Sequence, residues 1–278
     1  MNNIRETLIP TDIEEYLSGR SLYGDDFNEK ELREWFCDET GAYAHIGQNV
    51  RANGCLDGEY EYARLNWFHG FRRLPPKRWQ HVCSVGGADG AELRALDGAF
   101  VRATVVEPDT SGVTNRDRMT AVVPARPDGR LDISDCSVDL FLLFGVLHHI
   151  ANVSLVIGEL FRCAMPGGYL LVREPAVSMG DWRSPRPGLT KRERGIPTDW
   201  LRQCCLDAGF LIEHESRCVF PVLRRLGALA RLHLYRTTVG TILDAALCKA
   251  TAWNKTYDSR RIASKLQGSS TFLVLRKP

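Results

Sequence analysis

A glycine-rich turn is the first stretch of this sequence whose residue types and spacing could do chemistry. It reads VCSVGGADG over residues 82–90, after a short apolar run typical of a strand and before a helix-like segment. Glycines there let the backbone approach a ligand, and the first amides of the helix face it. Glu107 follows 21 positions after Gly86, where an acid accepts hydrogen bonds from ribose hydroxyls. The turn and the acid do not distinguish between NAD, FAD and S-adenosylmethionine (SAM) as the ligand. The alternative is a tight turn that binds no ligand.

Two adjacent histidines and one acid form a second candidate site. The sequence LHHI places His148 and His149 just after an apolar run at 137–146, and Glu174 ends another run at 166–175. Neighbouring parallel strands bring their carboxyl ends to one edge of a sheet, where ligands bind. An imidazole of near-neutral pKa can remove a proton from a hydroxyl, and a carboxylate can orient it. We predict catalytic roles for all three, with His149 ahead of His148 as the base; alternatively, one histidine only caps or packs.

A polar, proline-rich and basic stretch follows, REPAVSMGDWRSPRPGLTKRERGIP at 173–197. A tryptophan among acids and arginines is typical of a sugar-binding surface, because the ring stacks and the charged groups form directional hydrogen bonds. The arginines could also hold a phosphate or a uronic acid, and a solvated surface loop is the alternative. The predicted substrate-binding residues are Asp181, Trp182, Arg183, Arg186, Arg192, Glu193 and Arg194.

The elements that must position these residues alternate between strand and helix, which is typical of βαβ units in a parallel sheet. The predicted fold class is therefore α/β. Asn28 and Glu31 have capping-box spacing at the start of a helix that precedes this region. The expected units are an N-terminal helical cap (1–78), the ligand-binding core (79–218), a helical insertion or lid (219–260) and a last strand that completes the core sheet (261–278).

Four motifs in order resemble the class I SAM-dependent methyltransferases, type 11-like. They are the glycine turn, LDISDCSVDLFLLFGVLHHI (131–150), LFRCAMPGGYLLVREP (160–175) and the terminal STFLVLRKP. The resemblance implies a Rossmann-like, mostly parallel seven-stranded sheet with an antiparallel C-terminal strand, SAM as cofactor and S-adenosylhomocysteine (SAH) as product. The sequence departs from the family at two points. Ala88 replaces the middle glycine of the turn. The acidic residue with which the family binds the adenine amine has no direct match, and the nearest acid, Asp128, is displaced by about one position. The cofactor-binding residues implied are Gly86, Gly87, Ala88, Gly90, Glu107, Asp128, Phe144 and Gly145.

A narrower resemblance concerns the acceptor. The histidine turn with an acid after the next strand looks like sugar O-methyltransferases, and SLYGDDF, ELREWFCDETGAYA and LNWFHGFRRLP look like a bacterial subgroup tied to surface-polysaccharide assembly. This implies O-methylation of a sugar hydroxyl on a glycan or on its lipid- or nucleotide-linked precursor. The alternatives are another small-metabolite acceptor, with transfer to oxygen, nitrogen or carbon, and a non-catalytic SAM-fold subunit of a glycan assembly complex.

The helical insertion places four arginines beside a leucine-rich face. A lid or a dimer helix is one interpretation of this pattern. Peripheral contact with a membrane surface is another, and would suit a lipid-linked glycan or association with a glycosyltransferase. The arginines are Arg224, Arg225, Arg231 and Arg236.

Composition excludes several classes of protein. A net charge of +2 and a pI near 8.1 give no field for nucleic acid, so no nucleic-acid partner is expected. No apolar run approaches the roughly 18–20 residues that span a bilayer, and the polar, acid-containing start is not typical of a signal or transit peptide. The nine cysteines have irregular spacing, which predicts reduced thiols in a cytoplasmic protein and no metal site.

Overall fold

A seven-stranded sheet organises the chain, and the computed structural model describes residues 13–53, 60–87, 90–110, 120–182 and 184–278. Ala88 and Arg183, two of the predicted site residues, lie outside these ranges. In chain order the strands are β1 (Trp79–Val85), β2 (Phe100–Glu107), β3 (Thr120–Pro124), β4 (Val138–Phe144), β5 (Ala164–Pro175), β6 (Leu211–Cys218) and β7 (Ser270–Arg276).

The strands lie in the order β3-β2-β1-β4-β5-β7-β6. Strands β1 to β5 pair in parallel, and β7 is antiparallel to both of its neighbours, β5 and β6. The predicted fold, a mostly parallel seven-stranded sheet with an antiparallel C-terminal strand, is confirmed. The chain moves outward from β1 to β3 and then returns to β4 on the other side of β1. The switch point between β1 and β4 is where open sheets of this kind bind ligands, at the carboxyl ends of the strands.

Strand β4 is apolar almost throughout because both faces of the sheet are covered. Phe141 and Leu143 pack in one apolar cluster, whereas Leu140 and Leu142 pack in another. Alternate residues of a strand point to opposite faces, so the two clusters lie on the two sides of the sheet.

The helices are α1 (Glu14–Leu17), α2 (Glu29–Asn53), α3 (Ala63–His69), α4 (Val153–Cys163), α5 (Thr198–Asp207), α6 (Pro221–Leu229) and α7 (Thr238–Ala250). The predicted capping box of α2 is present: Asn28 Oδ1 accepts the Glu31 N–H at 3.2 Å, and Glu31 Oε2 accepts the Asn28 N–H at 2.9 Å. The segment after the glycine turn, expected as a helix, is the short 3-10 helix Ala91–Leu96. No helix in the described ranges is long and apolar enough to cross a bilayer.

A third apolar cluster joins α2 to the loop that follows β5. The indole of Trp35 is 2% exposed, and its N–H donates to the carbonyl of His149 at 2.7 Å. Burying a large apolar side chain contributes about 3 kcal/mol, so this contact holds α2 over the carboxyl ends of the central strands. The cluster consists of Ile13, Leu17, Tyr23, Leu32, Trp35, Ala151, Trp182 and Tyr257.

Candidate active site

A cavity lies at the switch point between β1 and β4. Its wall comes from the carboxyl ends of β1 and β2, from one face of α2, from the segments that follow β3 and β4, and from the first turn of α4. Four of the predicted site residues line it: Gly86, Glu107, Gly145 and His149.

The glycine turn leaves no room for side chains at the edge of this cavity. Gly86 has a φ of +67°, and a Cβ built on it would lie 2.5 Å from Cγ2 of Val146. A Cβ on Gly87 would collide with the carboxylate of Glu92. At Gly90, with a φ of +72°, a Cβ would lie 3.2 Å from Cδ1 of Leu93, and the backbone has a conformation that side chains rarely adopt. The backbone of β1 can therefore approach a ligand closely, as the sequence predicts.

The described residues fit the cofactor implied by the resemblance. Glu107 is buried at the carboxyl end of β2, next to β1 in the sheet, and its side chain belongs to the cavity wall. A carboxylate at that position can accept the two ribose hydroxyls of SAM while the glycine turn borders its methionine part. Gly145, with a φ of +79°, contributes a third stretch of bare backbone after β4.

Two predicted cofactor residues point elsewhere. The ring of Phe144 packs against Phe71 and Phe272, with centroids 6.0 and 5.8 Å away, and only the adjacent glycine lines the cavity. Asp128 accepts from the Arg126 guanidinium at 2.9 and 3.1 Å and caps the following turn. Its carboxylate therefore serves a surface ion pair, although residues on both sides of it line the cavity.

Glu174 is the buried anchor of the histidine turn. Its carboxylate accepts the backbone N–H groups of Val146 and Leu147 at 2.8 and 2.9 Å, and Nδ1 of His148 lies 2.8 Å from it. Burial alone would raise the pKa of Glu174, but the contact with His148 and the backbone donors outweigh it and hold the pKa below its usual range. Glu174 is thus an ionised carboxylate that holds the histidine turn and does not line the cavity.

His148 is held between two carboxylates. Its Nδ1 contacts Glu174, and its Nε2 lies 3.4 Å from Oε1 of Glu193. Burial alone would lower the pKa of His148, but the two carboxylates outweigh it and raise the pKa to about 9. An imidazole that is already protonated at neutral pH cannot accept a proton, so this arrangement does not agree with the prediction of His148 as a base.

His149 differs from His148 in both place and charge. Its ring lines the cavity, and its Nδ1 lies 2.7 Å from Oε2 of Glu39. Burial lowers the pKa of His149, the charge on His148 lowers it further, and Glu39 opposes both effects. The ring is therefore neutral at pH 7. With its Nδ1–H donated to Glu39, it carries its lone pair on Nε2.

Glu39 is a residue of the candidate site that sequence reasoning missed. It is buried, and besides His149 it accepts from Oγ1 of Thr190 at 2.7 Å and from the N–H of Arg192 at 2.9 Å. The signal was present in the sequence: Glu39 lies seven residues after Leu32, on the helix face that the apolar pattern assigns to the interior. An acid on such a face needs buried partners, which the turn after β4 and the loop after β5 supply.

Three arginines in the described part of the loop after β5, Arg186, Arg192 and Arg194, bind other groups of the protein. Arg186 donates to main-chain carbonyls of four loop residues, 179, 190, 191 and 193. Arg194 is fully buried and donates to the carbonyls of residues 23, 147, 148 and 151. Arg192 pairs with Asp38 of α2 at 2.8 Å. Five donors in a fixed fork suit this use, and the predicted binding of phosphate or uronic acid by these three residues is corrected accordingly.

The remaining loop residues predicted to bind a sugar are also engaged. Trp182 is 5% exposed, stacks on Tyr23 with centroids 5.4 Å apart, and donates its indole N–H to the carbonyl of Ser178. Its ring is therefore not available to stack on a sugar. Glu193 is buried against His148 and accepts the N–H of Thr190. Asp181 is half-buried at the start of a turn.

One group in the described ranges has ligand atoms close enough to hold a metal ion. Donor atoms of His148, His149 and Glu193 lie within 4.8 Å of one another. Here both ring nitrogens of His148 already contact carboxylates, and Nδ1 of His149 contacts Glu39. Because these contacts satisfy the group as an ion-pair network, no step of the chemistry below is assigned to a metal.

Comparison with known proteins places the chain among methyltransferases. The methyltransferase domain family model matches residues 60–215, more than half of the chain. A chain of the Haloferax volcanii complex containing the Trm112 methyltransferase activator has a TM-score of 0.56 at 16% identity, covering 85% of this chain and 96% of that one. An S-adenosylmethionine dependent methyltransferase from Mesorhizobium loti has a TM-score of 0.53 at 13% identity, covering 78% and 100%. Phosphoethanolamine N-methyltransferase 2 of Haemonchus contortus, solved with SAM, has a TM-score of 0.54 at 12% identity, covering 83% and 59%. The search of curated proteins gave no match.

At these identities the solved structures show the fold, whereas the family match shows the family. The chain belongs to the methyltransferase domain family and has the fold of the class I SAM-dependent methyltransferases.

Proposed function

We propose that this methyltransferase acts on oxygen, transferring the methyl group of SAM to a hydroxyl that lies against His149. The observation that carries the proposal is a neutral imidazole in the cofactor cavity wall, oriented by the buried carboxylate of Glu39. A hydroxyl must lose its proton as the methyl group transfers, and an imidazole of near-neutral pKa suits that task.

When bound, SAM supplies a methyl group activated by its sulfonium, and SAH is the product. The acceptor oxygen forms the new bond to the methyl carbon, and the carbon–sulfur bond breaks with its electron pair remaining on sulfur. Nε2 of His149 takes the hydroxyl proton and later returns it to solvent, while Glu39 stabilises the imidazolium. A positioned base contributes typically about 10²–10⁴-fold to the rate. Glu174 contributes indirectly, because it fixes the turn that carries His149.

The acceptor class we propose is a saccharide hydroxyl of a glycan or its precursor in bacterial polysaccharide biosynthesis. This rests on the sequence resemblance, since the loop after β5 uses its arginines and Trp182 internally. We therefore expect residues of α2 and of the turn after β4, which line the cavity beside His149, to bind the acceptor. The alternatives are another small-metabolite acceptor, such as an amine, and a non-catalytic SAM-fold subunit of a glycan assembly complex.

The first experiment is a calorimetric titration with SAM and with SAH. We expect wild-type protein to bind both and Glu107→Ala to lose about tenfold or more in affinity, because a hydrogen bond to a charged group is worth about 1.5–3 kcal/mol. Asp128→Asn is the matched control, since its carboxylate faces Arg126 and should leave affinity unchanged. Absence of binding by the wild type would refute the cofactor assignment.

The second experiment measures SAH release with a panel of sugar nucleotides, free sugars and amines. We expect turnover with hydroxyl acceptors, and a His149→Gln variant that retains SAM affinity but loses about 10²-fold or more in kcat. Turnover with amines alone would replace the oxygen acceptor by nitrogen. SAM binding without turnover on any acceptor would favour the non-catalytic subunit.

A further inference from the structure

The segment between β6 and β7 carries a charge unlike that of the rest of the chain. Residues 219–268 contain nine lysines and arginines but only two acids, a net charge of +7. Because the whole chain carries +2, the remainder carries −5. Positive charge is therefore concentrated in the segment of α6, α7 and their connections, although Lys255 and Arg260 pair with Asp199 and Glu14 outside it.

Helix α6 exposes an apolar stripe. Val222, Leu226 and Leu229 recur at spacings of four and three residues, so they share one face of the helix. All three are exposed, and Leu229 at the end of α6 is 84% exposed. Leu232, exposed in the connection that follows, continues the apolar surface.

Helix α7 exposes a second apolar stripe because its polar side is turned inward. Asp244 is buried and accepts the N–H groups of Val219 and Phe220 at 2.9 and 2.6 Å. This contact fixes the rotation of α7 about its axis. The outward side carries Val239, Ile242 and Leu243, and Trp253 follows just beyond the helix; Val239 and Trp253 are 78% and 80% exposed.

Basic side chains accompany both stripes. Arg224 and Arg225 on α6, Arg231 after it and Lys249 on α7 are exposed and form no ion pair with any residue in the described ranges. Long basic side chains beside exposed leucine, valine and tryptophan are typical of helices that lie in a membrane interface, where the apolar face enters the headgroup boundary and the charges meet anionic lipid.

We propose that the α6–α7 unit docks this protein on an anionic membrane surface. A second copy of the chain is the other candidate for an apolar face of this kind. A two-fold interface, however, would place the same +7 unit on both sides, and like charges oppose such contact. A lipid surface of negative potential is complementary to the same charge and attracts roughly 1 kcal/mol per basic residue, which is about fivefold in affinity.

The unit also contacts the loop that borders the histidine turn. Tyr257 donates its hydroxyl proton to the carbonyl of Gly195 at 2.7 Å, and Ser259 accepts the N–H of Gly180 at 2.6 Å. The unit proposed to dock is therefore in direct contact with the loop that packs against the histidine turn. The docking proposal itself does not depend on the acceptor.

The test is sedimentation with vesicles of phosphatidylcholine alone and of phosphatidylcholine mixed with phosphatidylglycerol. We expect binding to the anionic vesicles only, weakened by salt. Arg225→Gln with Lys249→Gln should lower the affinity about 25-fold, whereas Lys30→Gln with Arg33→Gln, the same charge change on exposed residues of α2, should leave it unchanged.

Apolar variants separate lipid from a second copy. Leu229→Ser, Val239→Ser and Trp253→Ser together should abolish vesicle binding without changing SAM affinity, and Leu211→Ser, an exposed leucine of β6, is the control. Equal sedimentation with neutral and anionic vesicles, or none with either, would overturn the proposal. A dimer seen by analytical ultracentrifugation that the triple variant converts to monomer would assign the face to a second copy instead.

Discussion

Replacing Glu39 by Gln removes one negative charge from the contact with His149 and changes little in shape. In the wild type, one carboxylate oxygen accepts from His149 and Thr190, both at 2.7 Å, and the other accepts from the Arg192 N–H at 2.9 Å. An amide has one oxygen and one NH₂ group. If the oxygen keeps the first pair of contacts, the NH₂ faces another N–H donor, and one charged hydrogen bond is lost.

The magnitudes follow from these contacts. The lost hydrogen bond should lower the free energy of unfolding by about 2 kcal/mol. The rate should fall by about 10²-fold because the ring loses its orienting charge, less than the roughly 10⁴-fold seen when a Ser-His-Asp triad loses its aspartate charge. Glu39 opposes the lowering of the His149 pKa. The acid limb of kcat/KM, expected below the ordinary histidine value of about 6.5, should therefore move to still lower pH in the variant.

The assay is SAH release across pH, with urea unfolding of the same samples. Thr190→Val is the matched control, because it removes one hydrogen bond to the same carboxylate and leaves the contact with His149 in place. We expect this control to lose about 1 kcal/mol of stability and to keep both kcat and the acid limb. If Glu39→Gln behaves as Thr190→Val does, Glu39 only fastens α2 to the loop and the catalytic reasoning fails.

Three further outcomes are expected. The pKa of His148 is raised from 6.5 to about 9, so the stability that its charge contributes is complete below pH 6.5 and is lost as pH rises through 9. Urea unfolding between pH 6 and 10 should therefore show a loss of about 3 kcal/mol in the free energy of unfolding. His148→Gln should make the free energy of unfolding less dependent on pH over this range. Gly195→Ala should lower the melting temperature, since its Cβ would collide with the backbone carbonyl of Val177, at a cost of about 3 kcal/mol; Gly158→Ala in the open face of α4 should raise it slightly. EDTA treatment should leave turnover unchanged, and loss of turnover restored by a divalent cation would show that the imidazole–carboxylate cluster holds a metal ion.

The sheet and the glycine turn could be predicted from sequence because each depends on local pattern. A buried parallel strand reads as a continuous apolar run, as β4 does, and a turn with positive φ requires glycine, as at Gly86. Glu107 follows from its spacing after that turn. Strand β3 was not predicted, because five residues are too few to show a period.

The acceptor side could not be predicted because side-chain partners are set by tertiary contacts. A sequence rich in arginine looks solvent-facing or ligand-facing, yet Arg194 is fully buried with its donors on main-chain carbonyls. The sequence ranks His149 ahead of His148 but does not show their surroundings: two carboxylates raise the pKa of His148, whereas burial and the charge on His148 lower the pKa of His149. Glu39 belongs to an element far away in the chain from the residue that it orients.

The position of Glu39 also decides what a minimal version of this enzyme could do. The methyltransferase signature begins at residue 60, after α2 has ended. A protein trimmed to that signature would retain the glycine turn and Glu107 but would lack the carboxylate that orients the base and one wall of the cavity. Residues 60–215 alone would therefore keep His149, the proposed base, but without the carboxylate that contacts its ring. In this protein the residues that the family model matches and the residues that line the cavity do not coincide.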